Sequence, residues 1–427
     1  MFISSRSLGV LGRTASVLAF AVTVSACTED ATNTNGACYD PLAAGCNQGG
    51  AGGEGGSSVV PQPDTFFEGT YKTGVIEYAW AYNQEMTNAA TLANAYDWAG
   101  VEAAVAPGSL LGQKLDAMEL EFSTGVEAKK RSPKALIAQG LSMGKASGGD
   151  ATKNDIAKQH IEKSLIVLTE LYAMHEIEEA LEATKADDAA REVDAAAIIW
   201  ATLESRMIKR QASEVPDLWK AGSTLITTDK LAMHTGELLF AARTKIADGA
   251  PDATAALVKA NVYATKYFYA SVLNYGYKVE GLVAEGKSTE IVQIEGATFS
   301  EGLSTAFFGG DDAAAAELRG IWTGQPAGIT VAALRPAMVG VYDKLTTEAA
   351  SYFNLPENPE PKGMLESAGR IAGAIEVLTE ALDASGADVV ALQGKATSLI
   401  DAAKANDVSG ADALAKELSA AVTAAVK

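Results

Sequence analysis

The 427-residue sequence contains few of the residues from which metal and redox frameworks are usually built, with only three cysteines and three histidines. These numbers exclude a cysteine-rich zinc or iron–sulfur scaffold. Basic residues are also scarce, since 34 Lys and Arg stand against 54 Asp and Glu, for a formal net charge of -20. Such a surface repels phosphate backbones and attracts cations. We therefore expect no nucleic acid partner.

Signals of catalysis are scarce as well. No H-E-x-x-H occurs, no glycine-rich phosphate loop follows a predicted strand, and no G-x-S-x-G nucleophile elbow is predicted. No nucleophile–base pair is recognisable, so the sequence predicts a protein that is not an enzyme. The hydrophobic share of 48% is that of a folded protein.

The first 26 residues have the pattern of a secretory signal. Arg6 and Arg13 precede an apolar run over 15–24, which is too short to span a bilayer. The run ends in Val-Ser-Ala followed by Cys27, which resembles a bacterial lipobox and predicts lipidation of Cys27. The alternative is an ordinary signal peptide followed by a cysteine of no significance.

The predicted mature chain would be attached to the cell envelope through its lipid. Removal of 1–26 deletes two arginines and no acids, so the charge becomes 32 minus 54, or -22. Asp30 is the third residue after Cys27, whereas inner-membrane retention favours Asp directly after it. We therefore expect the outer membrane rather than the inner membrane.

Residues 27–65 are expected to form a disordered, glycine-rich tether, because they cannot bury enough apolar area to fold. Cys38 and Cys46 lie in this tether and could form a small-loop disulfide outside the cytoplasm.

The pattern of residues 66–427 predicts an all-α fold. We expect an antiparallel helical bundle with a duplicated long-helix hairpin and a short C-terminal helical unit. The expected divisions are a main bundle over 66–354, a Pro-rich connector over 355–363 and an Ala-rich unit over 364–427. The two degenerate repeats cover 158–207 and 259–307. Helices are expected at 70–87, 111–127, 133–146, 152–184, 190–211, 227–247, 252–285, 289–308, 329–353, 364–384, 387–404 and 410–426.

A stripe of apolar residues at steps of three and four runs along the predicted helix 152–184. The same steps continue to His175, Glu179 and Glu182, and Glu178 lies one turn from His175. A histidine and a glutamate one turn apart on one helix face can bind a single metal ion. The alternative is that the bundle ends here and the acids face solvent.

Two further helices carry candidate ligands. Glu204 is expected on one stripe between Trp200 and Met207, where a carboxylate needs a cation, a hydrogen bond or a proton. A salt bridge to Arg206 or Arg210 is the simpler interpretation. His234 and Glu237 repeat the His-x-x-Glu spacing on a third helix.

The other candidates are weaker. His160 is expected at the surface, and the tyrosines of 263–277 are expected to pack in the core. Glu85, on a predicted helical line through Tyr71 and Tyr78, is a lower-ranked ligand candidate, as are Glu295 and Glu301 in the second repeat.

The segment Tyr172-Ala173-Met174-His175-Glu176-Ile177-Glu178-Glu179, the two Ala-Thr arms and the duplicated hairpins together resemble the algal iron-assimilating, low-iron-inducible periplasmic proteins and their bacterial relatives. This resemblance covers roughly 68–350 and implies extracytoplasmic iron uptake without catalysis. A looser likeness is to imelysin-type periplasmic iron proteins with their G-x-H-x-x-E motif. Ala173 and Ala232 stand where that motif has glycine.

The sequence thus favours a lipid-anchored, non-catalytic protein that binds iron, or another divalent cation, for uptake or storage at the envelope. Its partners would be the membrane, the metal ion and an envelope transport protein. The predicted ligands are His175, Glu178, Glu179, Glu182, Glu204, His234 and Glu237. The alternative is an envelope scaffold that binds a protein partner through its helical faces and holds no metal.

Overall fold

The computed structural model describes residues 65–67, 69, 71–72, 76–212, 231–310, 313–355 and 359–426. The predicted signal peptide, the lipidation site Cys27 and the predicted Cys38–Cys46 disulfide lie outside these residues.

The described chain is an all-α helical bundle, as the sequence predicts. Its first helices are α1 Glu77–Asn94, α2 Trp98–Ala104, α3 Leu110–Phe122, α4 Val126–Lys129, α5 Pro133–Lys145, α6 Ala151–Glu182, α7 Ala186–Ala201 and α8 Glu204–Ala212. The second set is α9 Leu231–Ala247, α10 Ala253–Ala264, α11 Lys266–Ala284, α12 Glu290–Phe308, α13 Ala313–Trp322 and α14 Val331–Tyr352. The last helices are α15 Pro361–Val377, α16 Thr379–Ala384, α17 Val389–Lys404 and α18 Val408–Ala425.

Side-chain caps explain where several helices begin. The Asp150 carboxylate accepts a hydrogen bond from the Lys153 amide, so α6 begins at the expected place. Ser132 caps α5 in the same way, and Pro133 occupies the first helical position, where no amide proton is needed.

The expected first helix begins later than predicted. Residues Tyr71–Lys72 form a strand that pairs antiparallel with Thr65–Phe66, and α1 starts only at Glu77. Tyr71 is therefore not on the helical line that was drawn through Glu85. Its hydroxyl instead donates to Asp194 Oδ1 on α7, at 2.8 Å.

Two predicted long helices are each broken at a threonine. The Thr202 hydroxyl donates to the carbonyl of Ile199 (2.7 Å), and α7 ends at Ala201. The Thr265 hydroxyl donates to the carbonyl of Val262 (2.6 Å) between α10 and α11. Because such bonds compete with the helical ladder, they explain why 190–211 and 252–285 are not continuous.

Two buried threonines each pair with a tyrosine from another helix. The Tyr82 hydroxyl on α1 donates to Thr169 Oγ1 on α6 (3.0 Å). The Tyr342 hydroxyl on α14 donates to Thr265 Oγ1 (2.8 Å). The two threonines are 96 positions apart (265 minus 169), whereas the predicted repeats are offset by 101 (259 minus 158), so they do not occupy equivalent repeat positions.

The residue that follows each threonine is buried and ionisable. It is an acid, Glu170, after Thr169 and an amine, Lys266, after Thr265. Glu170 accepts a hydrogen bond from Trp200 Nε1 at 2.7 Å, and burial raises the pKa of Glu170 to about 8. Burial lowers the pKa of Lys266 to about 8, opposed by the carboxylates of Glu376 and Glu380.

The C-terminal helices share their core with the rest of the bundle. A methyl group added at Gly369 of α15 would lie 2.6 Å from the carbonyl oxygen of Ala255 on α10, so these two helices pack backbone to backbone. Within the described ranges, no helix combines the length and the apolar character needed to cross a bilayer.

Candidate functional site

His175 lies near the C-terminal end of α6, where α3 packs against it. Its Nδ1 atom lies 3.1 Å from Oε1 and 3.0 Å from Oε2 of Glu121, in the last turn of α3. Burial by itself would lower the pKa of His175, but the hydrogen bond and charge of Glu121 outweigh burial, so this pKa is raised. The surroundings therefore stabilise the imidazolium form of His175 relative to a free imidazole.

Glu178 is the second acid beside His175. Burial raises the pKa of Glu178 to about 7, and the adjacent Glu121 carboxyl contributes to the increase. Two carboxyl groups are thus held together beside one imidazole, and the buried Arg370 guanidinium also interacts electrostatically with Glu178. We call Glu121, His175 and Glu178 the His175 group.

The remaining acids of the predicted stripe lie further out. Tyr172 is fully buried, the side chain of His175 is 26% exposed and that of Glu179 is 55% exposed. Glu179 Oε1 lies 4.0 Å from His175 Nε2, and Glu182 is exposed. The stripe therefore leaves the core between Tyr172 and Glu182.

Glu204 does not lie on one continuous stripe with Trp200 and Met207, because the helix is interrupted at Thr202 and Glu204 begins α8. Arg206 forms an ion pair with Glu162 of α6, with 2.7 Å between Nη2 and Oε1. The indole of Trp200 faces Glu170, an acid that the sequence analysis did not select.

His234 and Glu237 form a second, separate cluster. His234 Nδ1 lies 3.2 Å from Glu237 Oε2, and His234 Nε2 lies 3.2 Å from Glu376 Oε2 on α15. Lys259 also pairs with Glu376 and, together with His234, outweighs burial and lowers the pKa of Glu376. The acid is thus already neutralised by its neighbours.

The lower-ranked candidates have protein partners. Glu85 accepts a hydrogen bond from the amide of Leu111 (2.9 Å), and Glu295 pairs with Lys163 (3.1 Å). Glu301 lies between two arginines, 3.2 Å from Arg131 Nε and 3.6 Å from Arg319 Nη1.

The predicted surface position of His160 is wrong, and one match to a catalytic motif lacks the geometry that catalysis requires. His160 is buried, not at the surface, because α5 packs closely on α6 through Gly140. Residues 140–144 do match the letters G-x-S-x-G, but Ser142 is exposed in the middle of helix α5. A nucleophile elbow requires a strand-to-helix turn, so this match is not one.

Glu176, Tyr78 and Glu192 form a further cluster that was not predicted from the sequence. The hydroxyl of Tyr78 on α1 lies 2.7 Å from Oε2 of both Glu176 and Glu192. Burial, with a contribution from the Glu192 carboxylate, raises the pKa of Glu176 to about 7. Glu176 lies one helical turn after Tyr172. Helical spacing from the apolar stripe could therefore have indicated that Glu176 is buried.

Among the residues that the structure describes, no three or more His, Cys, Asp or Glu side chains have an arrangement that could hold a metal ion as they stand. The His175 group brings together two of the predicted ligands with one unpredicted residue, Glu121. His234 and Glu237 have a different partner, Glu376.

Comparisons with protein-family models, with curated proteins and with solved structures find no match to this chain.

Proposed function

We propose that this chain is a non-catalytic, lipid-anchored envelope protein that binds a metal ion, with iron as the first candidate, for uptake or storage. The observation that supports this proposal is the His175 group. Glu121 contacts the imidazole of His175, and burial, with a contribution from the Glu121 carboxyl, raises the pKa of Glu178 to about 7. A cation would neutralise this excess of acid better than a single histidine does.

Binding at the His175 group requires a rearrangement. Glu121 is hydrogen-bonded to His175 Nδ1, so a metal ion that binds this nitrogen would have to displace that hydrogen bond. The carboxylates would therefore reorient, and His175 would lose a proton, when the ion enters. Carboxylate oxygens with one imidazole suit iron and manganese better than copper(I).

The test is calorimetric titration of the mature chain with ferrous iron under anaerobic conditions. We expect Glu121→Gln, His175→Ala and Glu178→Gln each to weaken binding about tenfold or more, since each removes a ligand. The matched control is His234→Ala, which alters the other His–Glu cluster and should leave the affinity unchanged. Equal effects of His175→Ala and His234→Ala would contradict the proposed site.

The scaffold alternative is supported by one observation. Leu120 and Val126 are 80% and 75% exposed, and both are close in sequence to Glu121. If the protein binds a partner here, Leu120→Ser with Val126→Ser should abolish capture of that partner from envelope extracts. If iron binding is absent in the wild type while this capture occurs, the scaffold function replaces the metal-binding one.

The envelope location depends on sequence alone and has its own test. Cys27→Ser should move the protein from the membrane fraction to the soluble fraction, because lipidation needs the thiol. Retention of the variant in membranes would contradict lipid anchoring.

A further inference from the structure

The Tyr78 hydroxyl has more acceptors than protons. Its oxygen lies 2.7 Å from Glu176 Oε2 and 2.7 Å from Glu192 Oε2. A phenol carries one proton and can donate it to only one carboxylate. The second short oxygen–oxygen contact therefore needs another proton or a cation.

Tyr172 adds a second, buried phenol to this cluster. Its side chain is fully buried, and its hydroxyl makes no hydrogen bond of normal geometry in the part of the chain that the structure describes. Tyr172 lies one turn before Glu176 on the same face of α6, and burial, followed by the Glu176 carboxylate, raises the pKa of Tyr172. A buried hydroxyl without a good hydrogen bond destabilises the fold, so this oxygen lacks a partner that the fold would favour.

Two cations lie near this cluster. Lys114 Nζ lies 4.0 Å from the centre of the Tyr172 ring, and the Arg191 guanidinium carbon lies 6.0 Å from the centre of the Tyr78 ring. Burial lowers the pKa of Lys114, and the Glu176 carboxylate opposes that change. One partly buried ammonium and one guanidinium thus accompany two carboxyl groups and two phenols contributed by α1, α6 and α7.

We propose that Tyr78, Tyr172, Glu176 and Glu192 form an all-oxygen site for a hard trivalent cation, with ferric iron as the ligand. This Tyr78 site goes beyond the proposed function, because it shares no ligand with the His175 group and selects the oxidation state. Two phenolates and two carboxylates supply four negative charges, and each phenol releases its proton to solvent on binding. A strongly Lewis-acidic ion is needed to displace these protons, which disfavours calcium and magnesium.

The test uses the visible absorption of the iron-bound mature chain. Ferric citrate is added, and phenolate-to-iron charge-transfer absorption is recorded, since this band arises only when a tyrosine oxygen binds ferric iron. We expect a band in the wild type and its loss in Tyr78→Phe and in Tyr172→Phe. The matched control is Tyr82→Phe, one turn along α1 from Tyr78, which should retain the band.

A fourth variant, Lys114→Met, should strengthen the binding of ferric iron instead of weakening it. Lys114→Met removes the ammonium that competes with the cation, so we expect ferric iron to bind about tenfold more tightly. Circular dichroism of every variant identifies any that do not fold. Unchanged or weaker binding by folded Lys114→Met would contradict the placement of the cation beside Lys114.

The outcomes separate this inference from the proposed function. Absence of the band in the wild type, or its persistence in the Tyr78→Phe, Tyr172→Phe double variant, overturns the Tyr78 site. If calorimetry then still shows binding that depends on His175, the metal-binding function stands without this site. A band that is unaffected by His175→Ala, with no His175-dependent binding, supports the Tyr78 site and rejects the His175 group.

Discussion

At the scale of single residues, Lys266 is a lysine held almost entirely out of water. It is 4% exposed, and its Nζ donates to the carbonyl oxygen of Glu376 at 3.1 Å. The ammonium also lies 5.6 Å from the centre of the Tyr263 ring. Burial lowers its pKa from the ordinary 10.5 to about 8, although Glu376 and Glu380 oppose the change. The charged form is therefore unfavourable in the folded protein.

We expect Lys266→Met to be more stable than the wild type at pH 7, by on the order of 3 kcal/mol, because the variant buries no charge. Between pH 8 and 10.5 the unfolded wild-type chain binds a proton that the native chain has lost. The wild-type free energy of unfolding therefore rises with pH in this window, and that of the variant should lack this rise.

Urea denaturation at pH 7 and pH 10 measures both effects. The control is Lys153→Met, which replaces an exposed lysine at the start of α6 and should change neither quantity. The same pH dependence in wild type and Lys266→Met would contradict this account of Lys266.

The candidate site could be predicted from sequence only along a single helix. Helical spacing on α6 predicts that His175 and Glu178 lie together, and both lie close to Glu121. Glu121 and Glu192 could not be found in this way, because their approach to α6 depends on how α3 and α7 pack. The prediction that Glu204 continues the stripe through Trp200 is wrong, because Thr202 interrupts the helix.

At the scale of secondary-structure elements, the contact between α10 and α15 depends on glycine. A methyl group at Gly369 would lie 2.6 Å from the Ala255 carbonyl oxygen and 2.9 Å from Val258 Cβ. Neither a backbone carbonyl in a helix nor a buried Cβ can move cheaply. The two helices would have to separate.

We expect Gly369→Ala to lower the free energy of unfolding by about 1–3 kcal/mol, as overpacking does elsewhere. The control is Gly394→Ala on α17, where an added methyl group meets nothing within 4 Å. That change should instead stabilise the protein by about 0.5–1 kcal/mol through helix propensity. Chemical denaturation of both variants shows whether each substitution lowers or raises the free energy of unfolding. An increase for Gly369→Ala would contradict the close packing of α10 and α15.

Most helices could be predicted from periodicity and caps, and most of the predicted ones occur near their expected bounds. The errors have local physical causes. Thr202 and Thr265 bind the carbonyls three residues before them, which divides two long helices. The strand at Tyr71–Lys72 depends on pairing with Thr65–Phe66, and so short a pairing leaves no periodic signal.

At the scale of the whole molecule, the C-terminal segment and the repeat region share one hydrophobic core. Ile371 and Ile375 of α15 and Leu399 of α17 are fully buried in the same cluster as Leu165 and Tyr172 of α6. Glu376 also joins α15 to α9 and α10 through His234 and Lys259.

We therefore expect α10 and α15 to exchange their amide protons through the same global unfolding. Native-state hydrogen exchange read by mass spectrometry should give opening free energies for these two helices within about 1 kcal/mol of each other. The peripheral helix α2 serves as a comparison and should open more easily. An α15 that exchanges well before α10 would indicate a C-terminal unit that unfolds independently.

Glu170 and Lys266 each follow a threonine that pairs with a tyrosine, and burial brings the pKa of both residues to about 8. Approaching pH 8 from below, the folded chain keeps a proton on Glu170 that the unfolded chain has lost, and above pH 8 it loses one from Lys266 that the unfolded chain keeps. With respect to these two groups, mildly alkaline solution is therefore the least favourable condition for the folded protein.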